Sequence, residues 1–407
     1  MKMTLKKFIS EWFGDWWTIF NDELKMIFKD SGVMIIFFLA GLAYPILYNL
    51  IYHNGTVDDM PIAVVDKSNS ADSRRFARKL DATREVTIAY RCTDMTEAEE
   101  LMQERKVHGI VLFPSDYDDR LANLEQATVS TYEDMSSFLY YKNLLMAANH
   151  VMLDELSQIQ TERYAAAGFT GESAAQLVEA MPYEENIPYN PGFAYCLFFL
   201  PAALMLVIQQ TMFYGVSMMA GTMRERNRSF ATLPDKLQGR GITRVILGRG
   251  SAYGLIYLGL GSYIAILIPA LFGLPRNGIT GDIFVLLLFY IVACILFSFT
   301  FSTVIRRRET VFALFLFFSP VCLFLTGFSW PQSAFPPFWK FFSWLFPSTF
   351  AAQGFINMNA AGATLDMIKP QMIGLTIQIV VYYITSAAAI TLENRLIHKQ
   401  AQNGKDD

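Results

Sequence analysis

Six stretches of this chain carry no Asp, Glu, Lys or Arg: Ser31–Tyr52, Gly192–Ala220, Gly250–Leu274, Ile283–Ile305, Thr310–Trp330 and Gln371–Leu392. Each is long enough to cross a hydrocarbon core of roughly 30 Å, which takes about 20 helical residues. Without a closed barrel, only a helix satisfies every backbone group inside lipid, so each stretch is read as a helix. A chain that is 53% hydrophobic and only 17% charged is too apolar for an ordinary soluble enzyme. The expected fold is an α-helical polytopic membrane protein with six transmembrane helices.

The charge is unevenly placed. Residues 53–191 hold 12 Lys+Arg against 24 Asp+Glu; of the chain's 33 and 37, that leaves 21 and 13 for the rest. The membrane part is therefore basic and the inserted part acidic, which argues against nucleic acid as a partner. Within the insert, Pro61–Asp66, Glu85–Tyr90, Gly109–Phe113 and Thr128–Tyr132 read as strands. Ser70–Leu80, Thr96–Lys106 and Tyr117–Leu124 read as the helices between them. Thr96 and Glu99 are spaced as a capping box, and a long helix over Ser136–Ala167 follows. This alternation implies an α/β extracytoplasmic domain over 53–191. It holds no G-x-S-x-G, H-E-x-x-H or glycine-rich phosphate loop, so a membrane-anchored enzyme has no motif to rest on. Cys92, Cys196, Cys294 and Cys322 form no C-x-x-C, and the four His are scattered, so no metal site is expected.

Residues 1–30 repeat apolar side chains every three or four positions, with Lys2, Lys6, Lys7, Lys25 and Lys29 flanking them. This predicts an amphipathic helix in the cytoplasmic headgroup layer, followed by a first span over 31–52. The remaining five spans occupy 192–392, and 393–407 is a tail. Thr222–Arg249, between the second and third spans, carries Arg224, Arg226, Arg228, Lys236, Arg240, Arg244 and Arg249 against Glu225 and Asp235. A short basic loop is cytoplasmic by the positive-inside rule, and Arg306–Arg308 makes a second one, so both termini are expected inside. Charge alone suits a topology anchor as well as a docking loop for a soluble motor. Gln209, Gln210 and Thr211 lie near the middle of the second span. Polar groups at that depth either hydrogen-bond between helices or line a path. Phe341–Leu365 is free of charge but holds Pro347, Ser348, Thr349, Gln353, Asn357 and Asn359. A full span there would reverse the C-terminus, so 331–369 is read as an outer re-entrant segment of short helices.

The segment Thr326–Ala363, with Gly327, Phe328, Pro331, Pro336, Pro347 and Gly362, resembles the outer end of type-2 ABC export permeases. PIAVVDKSNSADSRRFARKL is similar to the opening of that family's large external domain. VHGIVLFPSDYDDRL is similar to a later element of it, with Lys106, Gly109, Pro114 and Tyr117 in place. Arg224–Glu225 matches the Arg-Glu pair after the family's second span. The chain then departs from the usual Gly-Thr and Thr-Pro, reading Ser229-Phe230-Ala231-Thr232 and Leu233-Pro234.

The resemblance implies a drug-exporter-like permease in a bacterial inner membrane, moving a lipophilic small molecule outward, with 53–191 periplasmic. It implies a dimer with a second copy or a paralogue, and an ABC ATP-binding subunit docked at Arg224, Glu225, Arg226, Arg228, Leu233 and Pro234. It also implies an outer-gate motif at Gly327, Phe328, Pro331 and Pro347, and a periplasmic adaptor with an outer-membrane duct. The translocation path would run past Gln209, Gln210 and Thr211. No G-x-x-x-x-G-K-[ST] occurs, and the Gly404-Lys405 pair is followed by Asp406, so ATP and Mg belong on the partner, with no cofactor on this chain. The rival expectation is a non-transporting membrane protein whose external domain serves as a receptor or secretion scaffold.

Overall fold

A computed structural model describes residues 5–52, 55–169, 171–178, 188–190, 194, 196–226, 241–274 and 276–406. The chain divides into two compact units, Met1–Gly55 with Pro188–Asp407, and Thr56–Ile187.

The second unit is built on a four-stranded sheet. In chain order it runs β1 (Met60–Asp66), β2 (Val86–Cys92), β3 (Gly109–Phe113) and β4 (Ser130–Glu133). The spatial order is β2-β1-β3-β4; β1 lies parallel to β2 and β3, and β4 returns antiparallel to β3. Because side chains alternate along a strand, β1 feeds both faces. Met60, Ile62 and Val64 pack with Phe76, Leu80, Phe113 and Leu144, while Ala63 and Val65 pack with Cys92, Ala98 and Ile110. The crossover helices begin on side-chain caps. Ser70 accepts from the Ser73 amide, and the Ser73 hydroxyl answers the Ser70 amide at 3.1 Å. The Thr96–Glu99 box does not form. Asp94 caps that helix instead, accepting from the Glu97 amide at 2.9 Å, and the Glu97 carboxylate holds the Thr93 amide at 3.0 Å.

The long helix Phe138–Ala166 is tied to Ala71–Asp81 by the Glu155 carboxylate, which is 4% exposed and bridges Arg75 at 2.9 Å and Lys79 at 2.6 Å. Burial pushes the Glu155 carboxyl up, but hydrogen bonds from Arg75 and Lys79 outweigh it and hold it below its ordinary value. Burial, then Glu155 and Asp72, push the nearby Tyr117 phenol up to about 12.

The first unit is a helical bundle. An N-terminal helix α1 (Leu5–Lys29) precedes a first span, α2 (Ser31–Ile51), which contains a π turn at Ile35–Ala40. After the insert come α3 (Cys196–Glu225), α4 (Ile242–Leu271, with a π turn at Tyr263–Leu267), α5 (Thr280–Ser302) and α6 (Thr310–Leu325). Two short helices, α7 (Pro337–Ser343) and α8 (Pro347–Ala361), precede the last helix, α9 (Lys369–Asp406).

Among the described residues, five helices are long and apolar enough to cross a membrane. The expected sixth, over Thr310–Trp330, is the 16-residue α6. At about 1.5 Å per residue it reaches roughly 24 Å. The segment read as re-entrant holds the short helices α7 and α8, of 7 and 15 residues. The almost wholly buried α3 is the central column of the bundle. Gly215 admits the Phe37 ring, since a Cβ there would lie 1.9 Å from it.

Unfolding of 56–187 should become easier as pH falls. A carboxyl whose folded pKa lies below its unfolded value, about 4.3, stabilises above that value and loses this as pH drops through the folded one. Hydrogen exchange of Ala71–Asp81 in the intact protein should show this loss. Glu155→Gln should weaken protection at neutral pH by about 2 kcal/mol and flatten the acid dependence.

Candidate functional site

The basic stretch Thr222–Arg249 proves to be largely helix at both ends. The α3 helix runs to Glu225 and α4 begins at Ile242. Arg244 and Arg249 therefore lie in the first turns of α4, although the charge-free window had suggested a start at Gly250. A window bounded by charge ends too early wherever a helix carries buried charges that are paired. Arg228, Leu233 and Pro234 lie outside the described residues.

Arg224, Arg244, Arg249 and Arg308 at this end each meet a carboxylate, while Arg226, Arg306, Arg307 and Arg395 are exposed. Arg224 makes a two-pronged contact with Glu393 on α9, at 2.8 and 3.0 Å. Its remaining NH1 group donates to the Ser302 carbonyl at 2.6 Å and to the Ile305 carbonyl. Both carbonyls lie at the end of α5 and the turn after it, where a basic side chain is a favourable donor; the Ser302 carbonyl also accepts from the Ile305 amide at 3.1 Å. Arg224 thus points into the bundle and pins α3 to α5 and α9. Glu225 is exposed, and its carboxylate accepts from the Arg308 amide at 2.8 Å. Gly221 permits that approach, since a Cβ there would stand 3.0 Å from the same nitrogen.

The Arg308 guanidinium clasps Asp30 through two bonds of 2.6 Å and reaches Thr222 at 3.1 Å. Asp30 also caps α2, accepting from the Gly32 and Val33 amides. Burial would raise the Asp30 carboxyl; the Arg308 bond and these amides hold it below the usual carboxylate range.

The α1 helix supplies two more carboxylates. Asp15, Ile19, Glu23 and Ile27 recur at four-residue steps, so they share one face, and all four are buried. Asp15 pairs with Arg244. Glu23, whose side chain is 1% exposed, pairs with Arg249 at 3.1 Å and accepts from the Tyr253 hydroxyl at 2.6 Å. Gly248 lets the two helices close: a Cβ there would lie 2.7 Å from Ile19. Sequence reasoning missed Asp15, Glu23, Asp30 and Glu393. A signal did exist for two of them, since Asp15 and Glu23 interrupt the apolar face of an amphipathic helix.

The mid-span polar residues serve different ends. The Gln209 side-chain oxygen accepts from the Ser348 amide at 2.7 Å, satisfying the start of α8. Thr211 donates to the Val207 carbonyl at 2.7 Å and accepts from Tyr257 at 3.0 Å. The Gln210 amide is buried with no oxygen or nitrogen partner among the described residues, beside the Cys322 thiol. At the opposite end of the bundle, Gly327 adopts φ +84°, a left-handed turn open to glycine. The Phe328 ring meets Phe199 edge to face at 5.1 Å. Pro331 is exposed, leading a 3-10 turn, and Pro347 is buried as the first residue of α8.

Among the described residues no cluster of His, Cys, Asp and Glu could hold a metal. A multi-pass helical bundle with spans long and apolar enough for a membrane is the architecture of a polytopic membrane protein, and the family it matches makes it a membrane transport component rather than an enzyme. A family model described as ABC-2 family transporter protein matches residues 32–388, and the chain belongs to that family. Comparison with curated proteins gives no match.

Removing one partner of the buried Glu23–Arg249 pair should cost about 3 kcal/mol or more, because the other charge is then stranded. The paired change Glu23→Leu with Arg249→Met should recover most of that loss. Thermal unfolding of the detergent-solubilised protein, single variants against double, measures the difference.

Proposed function

We propose that this chain is the permease subunit of an ATP-driven exporter and that its basic end faces the cytoplasm. Membership of the ABC-2 family carries the reading. Permeases of this family normally work with an ATP-binding subunit, and this sequence holds no phosphate-cradling loop of its own. The linker between α3 and α4 is the docking element for that subunit, through Arg226, Arg228, Leu233 and Pro234. Arg224 and Glu225 act one step behind it. They join the root of the linker to α5, to α9 and to the turn at Arg308, so a push on the linker is passed to several helices together.

In this reading the unit Thr56–Ile187 is the periplasmic domain of a bacterial inner-membrane protein, available to an adaptor and an outer-membrane duct. The α6 helix is the sixth crossing, α7 and α8 re-enter from the outer face, and both termini are cytoplasmic. The permease works as a dimer, with a second copy or a paralogue, and the cargo is a lipophilic small molecule. Gln210 is the remaining path candidate of the three, since Gln209 and Thr211 are engaged by neighbouring helices. A bound nucleotide shifts such a bundle only by favouring one of its states over the other.

Arg226→Glu combined with Arg228→Glu should abolish copurification of the ATP-binding subunit while leaving the bundle folded. Undiminished copurification would place docking elsewhere. With the complex in proteoliposomes, Gln210→Ala should reduce cargo-stimulated ATP hydrolysis at least several-fold. Unchanged stimulation removes Gln210 from the path. Hydrolysis that no lipophilic compound stimulates, with no compound moved, would favour the scaffold reading.

A further inference from the structure

One apolar groove of the bundle serves none of the roles above. It has a volume of about 950 Å³ and lies between α4, α5 and α9, with Trp16 and Phe20 of α1 at one end. We propose that it seats an acyl chain of a membrane phospholipid, drawn from the leaflet at the basic end of the bundle.

Three observations carry this. The first is chemical. The lining is hydrocarbon almost throughout, and its hydroxyls are already engaged. Ser251 donates to the Gly248 carbonyl at 2.9 Å, and Tyr383 meets Thr243 at 3.0 Å. Apart from the Trp16 indole N–H at one end, a ligand with a polar body would find little to bond there, and burying it would cost free energy.

The second is dimensional. The α4 wall runs from Ile246 to Leu258. At about 1.5 Å per residue that is roughly 18 Å, close to half of the roughly 30 Å hydrocarbon core. The groove is therefore about one leaflet long. Trp16 and Phe20 of the amphipathic α1 line one end, and such rings favour the headgroup boundary.

The third disfavours the other obvious occupant. Gly250 and Gly254 lie four apart on α4, a spacing that elsewhere lets a foreign helix approach closely. Here both glycines face α5 of the same chain: a Cβ at Gly250 or Gly254 would meet Ile295 in ordinary contact, at 3.4 and 3.7 Å. What still faces outward is a set of flexible apolar side chains, including Leu255, Val380 and Ile384, each more than half exposed.

The seat touches α1, α4, α5 and α9 at once. An acyl chain in it would fill the space beside the helix that carries Arg244 and Arg249, and bear on the α1 contact with that helix.

The test uses the full-length protein in lipid nanodiscs containing a phospholipid with a photoactivatable diazirine on one acyl chain, followed by peptide mapping. Adducts should gather on Ile246–Leu258 and Ile379–Ile384 at several times the yield on the exposed apolar face of α6. Leu255→Trp, whose larger side chain fills the groove without entering the core, should lower the groove adducts several-fold and leave those on α6 unchanged. Even labelling across all outward faces would overturn the proposal. So would cross-linking of Leu255→Cys between two copies of the chain with few groove adducts, since a second protein would then hold the site.

Discussion

The bundle depends on neutralising charge at its basic end. Arginine is costly to place among apolar helices unless its charge and its donors are matched. Four arginines of this chain are matched by carboxylates from elsewhere in the sequence: Arg224 by Glu393, Arg244 by Asp15, Arg249 by Glu23 and Arg308 by Asp30. Every pair joins segments that the chain does not connect directly. Together they fasten α1, the start of α2, both helices flanking the basic linker, the turn after α5, and α9. The arginines that make this end basic thus also hold its helices in register.

Away from that end, polar side chains do a second kind of matching. The break between α7 and α8 interrupts the helical hydrogen-bond ladder and leaves backbone groups that need other partners. Gln378 donates to the Trp344 carbonyl at 2.7 Å, Tyr382 to the Leu345 carbonyl, and Gln209 accepts from the Ser348 amide. Helices too short to cross a membrane are tolerated where neighbouring long helices complete their hydrogen bonds. That gives Gln209 a structural reason to stand mid-span, and it separates Gln209 from the adjacent, unmatched Gln210.

Much of this was legible from residue order. The apolar windows located the five long helices, and short apolar or alternating runs located β1 to β4 to within about two residues. Length limited the reading at α6: its charge-free window continues to Trp330, but Thr326 and the left-handed Gly327 end the helix at Leu325. Pairing limited it at Arg244 and Arg249, because a charge inside a helix looks like a loop residue until its partner is known. Those partners lie 229 and 226 residues away along the chain, at Asp15 and Glu23, and no local pattern joins such distances. The Thr96–Glu99 box failed for a smaller reason: Asp94, two positions earlier, takes the N-cap and leaves Thr96 inside the first turn.

The central claim is that the basic linker lies on the side where a nucleotide-driven subunit can grip it. Vesicles of both orientations, carrying the protein with a single cysteine at Arg226 or Lys236 and treated with a membrane-impermeant thiol reagent, test it most directly. The four native cysteines are buried and give little background. The account predicts rapid labelling in inside-out vesicles and protection in right-side-out ones. Labelling from the exterior would contradict it, since an ATP-binding subunit in the cytoplasm could not reach that surface.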